Sequence, residues 1–80
     1  MSGYAPGICM VHLGHRTVVA IGSSNGVEIL DPETGVLLRK LDTNYPVKDV
    51  SVSDQDELQA FGPGGYSSSW TISWLGELVP

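Results

Sequence analysis

Apolar residues along this chain come in short bursts separated by turn residues. Ile8-Cys9-Met10-Val11-His12-Leu13 is the first burst and Thr17-Val18-Val19-Ala20-Ile21 the second. Ser23-Ser24-Asn25-Gly26 follows, and Asn-Gly is the strongest short hairpin signal, because a type I′ turn needs φ > 0 at both central positions. Val27–Leu30 reads as a third strand. Asp31-Pro32-Glu33-Thr34-Gly35 is the next turn, with Pro32 presetting φ and Gly35 taking the left-handed position. Val36–Leu41 is a fourth strand. Bursts of this length, rich in Val, Ile and Thr, predict strands throughout. Helix has little support; its best window, Asp54 to Ala60, is short and followed by glycine.

The pattern returns about 40 residues later. Val18, Ala20, Ile21 and Gly22 fall on Leu58, Ala60, Phe61 and Gly62 at a shift of 40. Ile8, Val11 and Leu13 fall on Val47, Val50 and Val52 at a shift of 39, and Pro6 falls on Pro46. Gly35, Leu37 and Leu38 fall on Gly76, Leu78 and Val79 at a shift of 41. Small changes in turn length produce such drift. A period near 40 with four strands per unit is the signature of a propeller blade.

Residues 8–41 resemble one blade of a WD40-type β-propeller. The order is strand, strand, Ser-Ser-Asn-Gly hairpin, strand, Asp-Pro-Glu-Thr-Gly turn, strand. Leu30-Asp31 occupies the place of that family's Trp-Asp pair, with the Trp lost, and Gly14-His15 does not stand where the family places Gly-His. The resemblance implies two blade-like units, 6–45 and 46–80, in a single domain of residues 1–80. The second unit is the more degenerate, and its last strand is expected at Leu78–Val79. Propellers need roughly four to eight blades. Two blades therefore imply a part of a longer propeller, or self-assembly as a trimer of six blades or a tetramer of eight. A small β-sandwich or barrel is the alternative for the same strands. In every case the fold class is all-β and antiparallel.

Composition narrows the function more than the fold. At 80 residues and 8.5 kDa the chain is one small domain, and such a domain buries only roughly 60 % of its unfolded surface. The one cysteine, Cys9, excludes an internal disulfide, so a partner chain is the expected source of extra stability. The net charge of −5 argues against direct binding to nucleic acid or to anionic membranes. Residues 41–80 carry all of it, six acids against Lys48. No apolar run approaches the roughly 20 residues that span a bilayer. Met1–Gly7 holds no basic stretch before an apolar one, which with the unpaired cysteine points to a cytoplasmic address.

Candidate chemistry is sparse. Cys9, His12 and His15 are zinc-type ligands, but structural zinc needs four, so no metal and no cofactor is expected. Cys9 is read as a half-buried strand residue. Phe61-Gly62-Pro63-Gly64-Gly65-Tyr66 lacks the lysine and the following helix of a phosphate loop. It reads as a hairpin loop, with Tyr66 and Trp70 as candidate contact residues, or else with Tyr66 capping the turn and Trp70 and Ile72 facing the core. Asp49, Asp54, Asp56 and Glu57 are acids in polar sequence. They supply too few oxygens at fixed spacing for calcium and no buried pair for acid–base work. No serine stands in a Gly-x-Ser-x-Gly elbow.

The expectation is a non-enzymatic protein–protein interaction module of propeller type. Loops 23–26 and 62–69 would carry the contacts, with Asn25, Asp49, Asp54, Asp56, Glu57, Tyr66 and Trp70 as the partner-binding set. The alternative is a small acidic inhibitor of phage type, whose carboxylates occupy a basic surface of a nucleic-acid-handling host complex.

Overall fold

A computed structural model describes residues 7–80 as two antiparallel sheets and one short helix. Pro6, which the repeat aligns with Pro46, lies outside the described residues, as does the stretch Met1–Pro6 read for a leader. The first sheet has the order β1 (Ile8–His12), β2 (Thr17–Ser23), β3 (Gly26–Leu30) and β4 (Leu37–Asp42). The second has β5 (Asp49–Val52), β6 (Glu57–Phe61) and β7 (Ser67–Thr71). The helix α1 (Ile72–Leu78) follows β7 directly. Within each sheet every strand pairs with its neighbour in sequence, so the chain is all-β and antiparallel apart from α1.

Alternation explains which side chains are buried. Val11, Val18, Ala20, Val27, Ile29 and Leu41 face inward from the four-stranded sheet. Val50, Leu58 and Ala60 face them from the three-stranded sheet. Leu13, Tyr45, Val47, Leu75 and Val79 complete one continuous core. Val18 and Leu58, aligned in the sequence, are both fully buried, as are Ala20 and Ala60. The first strands align differently. Val50 lies opposite Ala60 as Cys9 lies opposite Ala20, so Val50 takes the place of Cys9 rather than of Val11.

The second unit has three strands, not four. In place of the edge strand expected at Leu78–Val79, the chain forms α1. Thr71 caps it, its Oγ1 accepting from the Trp74 N–H at 3.3 Å. The spacing of Ile72, Leu75 and Val79 puts three apolar side chains toward the core, with Leu75 1 % and Val79 2 % exposed. A strand could not bury all three on one face. The segment Asp54–Ala60, the best helical window in the sequence, is instead a turn and most of β6.

The two turns of the first sheet differ in how they meet expectation. Around Asp31 the Oδ1 accepts from the N–H of Glu33 at 2.8 Å and of Thr34 at 3.2 Å, and Gly35 has φ 75°. This is the turn expected. The Asn-Gly hairpin is displaced by one residue. Ser23 pairs with Gly26, so Ser24 and Asn25 are the central residues, and neither has a positive φ. Gly26 is required for space instead, since a Cβ there would lie 2.2 Å from the Leu41 carbonyl oxygen.

Candidate functional site

The antiparallel meander separates the seven candidate residues. One end of the molecule carries the β2–β3 turn, the β4–β5 link and the β6–β7 turn. The other carries the β1–β2, β3–β4 and β5–β6 turns and α1. Asn25, Asp49 and Tyr66 stand at the first end, and Asp54, Asp56 and Glu57 at the second. Trp70 packs against the core together with Ile72. No single surface holds all seven.

At the first end Tyr66 stacks on Tyr45, with ring centroids 5.3 Å apart and planes 10° from parallel. Tyr45 is buried and donates from its hydroxyl to Ser68 Oγ at 2.7 Å. Gly62 leaves room for that ring, because a Cβ would lie 2.3 Å from Tyr45 Cδ2. Tyr66 therefore caps the glycine-rich turn while remaining 60 % exposed. Asn25 accepts a hydrogen bond from Lys40 Nζ at 2.6 Å.

At the second end Asp54 and Asp56 project from the β5–β6 turn, and Glu57 begins β6 opposite Thr71. Asp56 has φ 58°, a left-handed conformation that Asp tolerates better than most residues. Its carbonyl accepts from the Ile72 N–H at 2.9 Å, which ties the turn to the start of α1. Asp49 lies at the far end of β5, so the acids form a group of three and not of four.

The same end holds a polar clamp that the sequence did not announce. His15 donates from Nε2 to the Val79 carbonyl at 3.0 Å. Arg16 donates to the Pro80 main-chain oxygen at 2.9 Å and to Asp31 Oδ2 at 2.6 Å. Arg16–Asp31 is the one ion pair among the described residues. His15, Arg16, Asp31, Glu33 and Pro80 line an open groove of about 510 Å³. Arg16, the arginine that lines this groove, is already paired with Asp31.

The N–H of Glu33, then that of Thr34, and after them Arg16, hold the Asp31 carboxyl below its ordinary 3.8. A depressed carboxyl stabilises the fold fully above the unfolded value and loses that contribution as pH falls through the folded one. Asp31→Asn keeps the acceptor oxygen of the turn and removes the titration. Thermal melts between pH 6 and 2.5 are expected to fall less steeply below pH 4 in the variant than in the wild type. Parallel acid limbs would show that Asp31 does not set this dependence.

Cys9, His12 and His15 do not converge. Cys9 faces inward and packs beside the core, His12 Nδ1 is hydrogen-bonded to Thr17 Oγ1 at 2.9 Å, and His15 is held by Val79. Burial first, and then the charge of Asp49, push the Cys9 thiol above its ordinary value. A thiol reacts through its thiolate. Alkylation by iodoacetamide at pH 8 is therefore expected to run several-fold slower than for the urea-unfolded chain, and Asp49→Asn is expected to speed it. Equal rates in folded and unfolded protein would contradict this placement.

The largest feature that the sequence reading missed is the outer face of the four-stranded sheet. Pairing registers set Met10 opposite Val19, Val19 opposite Leu30, and Leu30 opposite Leu37. One apolar row thus crosses all four strands on the side away from the core. Beside it runs a second row, Ile8, Ile21, Glu28 and Lys40. Met10 is 39 %, Leu37 51 % and the adjoining Val36 57 % exposed. The outer face of the three-stranded sheet is different in kind. It carries Asp49, Ser51, Glu57, Gln59, Ser67, Ser69 and Thr71, with Phe61 its one large apolar residue. A signal for the apolar face was present in the sequence. Strands covered on both sides read as unbroken apolar runs rather than as alternation, and Ile8–Val11 and Val18–Ile21 are such runs.

The chain matches no known protein family, no curated protein and no solved structure.

Proposed function

We propose that this protein is a protein–protein interaction module whose contact surface is the outer face of the four-stranded sheet. The row Met10–Val19–Leu30–Leu37 carries the reading. An isolated exposed leucine is ordinary, but a contiguous apolar row rimmed by polar side chains, exposed at Met10 and Leu37 and half-buried at Val19 and Leu30, marks a surface that another macromolecule covers. Glu28, Lys40, Asp42 and Thr17 supply that rim. The reading is one of binding rather than chemistry, and it agrees with a blade-like unit, whose two faces are both covered by neighbours. Against the acidic-inhibitor reading, Asp49 stands apart from the three acids of the β5–β6 turn.

The test is site-specific photo-crosslinking. A benzoylphenylalanine at Leu37 is expected to give protein adducts in a cell extract, whereas the same group at Ser69, on the polar outer face, gives none. Unlabelled wild-type chain in excess should suppress the Leu37 adducts, and a Leu37→Glu chain should not. Equal labelling at Leu37 and Ser69 overturns the proposal.

A further inference from the structure

Resting on that reading, we infer that the occupant of this face is a second copy of the chain, packed sheet on sheet about a two-fold axis. Three observations single out the copy and its symmetry. The first is the contrast between the two outer faces. A head-to-tail ring of copies would set the apolar row of one chain against Asp49, Ser51, Glu57 and Gln59 of the next. Those polar groups would lose water without gaining partners, which is costly. A two-fold sets apolar row on apolar row, so each copy covers the other with the same patch.

The second observation is charge. The chain carries −5, all of it within residues 41–80, so the surface of the second unit repels a copy. On the apolar face Glu28 and Lys40 lie opposite each other in register and offset, which leaves only Asp42 at the corner uncompensated. The outer face of the three-stranded sheet carries Asp49 and Glu57 with no base. Two copies therefore meet with least repulsion through the face that is also the most apolar.

The third is size. Four strands at about 4.8 Å spacing and some five residues at about 3.4 Å give a face of about 19 by 17 Å. Two such faces meeting about 10 Å apart make the layer of an ordinary β-sandwich. The two faces together cover about 650 Å² before the rim is added, less than stable interfaces bury, so the dimer is a weak one that dissociates at micromolar concentration.

Light scattering after size exclusion, run from a few micromolar to several hundred, tests the inference. The wild-type mass is expected to rise from that of one chain, 8.5 kDa, toward twice that value. Leu37→Glu is expected to keep the mass of one chain throughout, with an unchanged far-UV spectrum. Mixing ¹⁵N-labelled and unlabelled chains that carry the Leu37 photo-crosslinker should yield mixed-isotope adducts mapping within residues 8–42 of the other copy. A monomeric wild type at every concentration overturns the inference. So does a mass of three or four chains with adducts mapping to residues 49–71, which is the head-to-tail ring. A monomer that still gives competed Leu37 adducts with other proteins removes the copy and keeps the binding surface; a chain with no Leu37 adducts loses both.

Discussion

Replacing Leu75 with alanine is expected to cost about 3 kcal/mol of folding stability, read as a lower urea midpoint at unchanged slope. Leu75 is 1 % exposed and is the residue by which α1 enters the core. Leucine-to-alanine changes at such sites lose the transfer energy of the side chain and leave a cavity that the surrounding core can close only in part. A domain of this size has a total stability of roughly 4–12 kcal/mol. The variant should therefore melt far below the wild type, by about 4–8 °C for each kcal/mol. Glu77→Ala, on the same helix but outside the core, serves as the control and should stay within about 0.5 kcal/mol. If Leu75→Ala melted with the wild type, α1 would not be part of the cooperative unit.

A Gly26→Ala variant is the second large effect, again about 3 kcal/mol. The added Cβ would meet the Leu41 carbonyl oxygen at 2.2 Å, and the next nearest atoms are also main chain. No side-chain rotation relieves that contact. Either β3 and β4 separate at this end or Gly26 leaves its pairing with Ser23. The same substitution at Gly35, where φ is 75° but nothing lies within 4 Å of a Cβ, is expected to cost only about 1 kcal/mol through backbone strain. Equilibrium urea unfolding of the two variants side by side separates the mechanisms. A smaller loss at Gly26 than at Gly35 would mean that close strand approach does not govern this hairpin.

Those two sites also mark where the sequence could and could not be read. β1 to β4 were legible because their determinants are local: short apolar bursts, a Pro-Glu-Thr-Gly turn, and strands long enough to show their ends. The Asn-Gly pair pointed to the right hairpin but to the wrong central residues. Gly26 serves a neighbouring strand, and a propensity rule built on the turn alone does not see that strand. Helix α1 was illegible for a related reason. Seven residues containing Ile, Trp and Gly have little intrinsic helicity, and their helical spacing becomes apparent only once Leu13 and the core are there to receive Leu75 and Val79. The polar clamp of His15 and Arg16 joins positions 64 residues apart, which no local pattern reveals.

The candidate contact residues share only residue type: acids in polar sequence, an asparagine and aromatic residues near glycine. The fold distributes them between two ends and the core, because a meander sends successive turns to opposite ends. The apolar outer row shows the converse. The unbroken apolar runs of β1 and β2 are visible in one dimension, but only the pairing registers line up Met10, Val19, Leu30 and Leu37 on the side away from the core.

The nearest-neighbour topology also sets the order in which the molecule assembles. Each hairpin closes a short loop, so strand pairing draws on contacts close in sequence and should be fast. Two seams are not local: β1 and β2 against β5 and, longer still, the β1–β2 turn against the end of α1. Closing a loop of 64 residues rather than about four costs about 2.4 kcal/mol more in chain entropy. The α1 seam should therefore form on the native side of the folding barrier. Substitutions in it, Leu75→Ala among them, should hasten unfolding while leaving the refolding rate nearly unchanged.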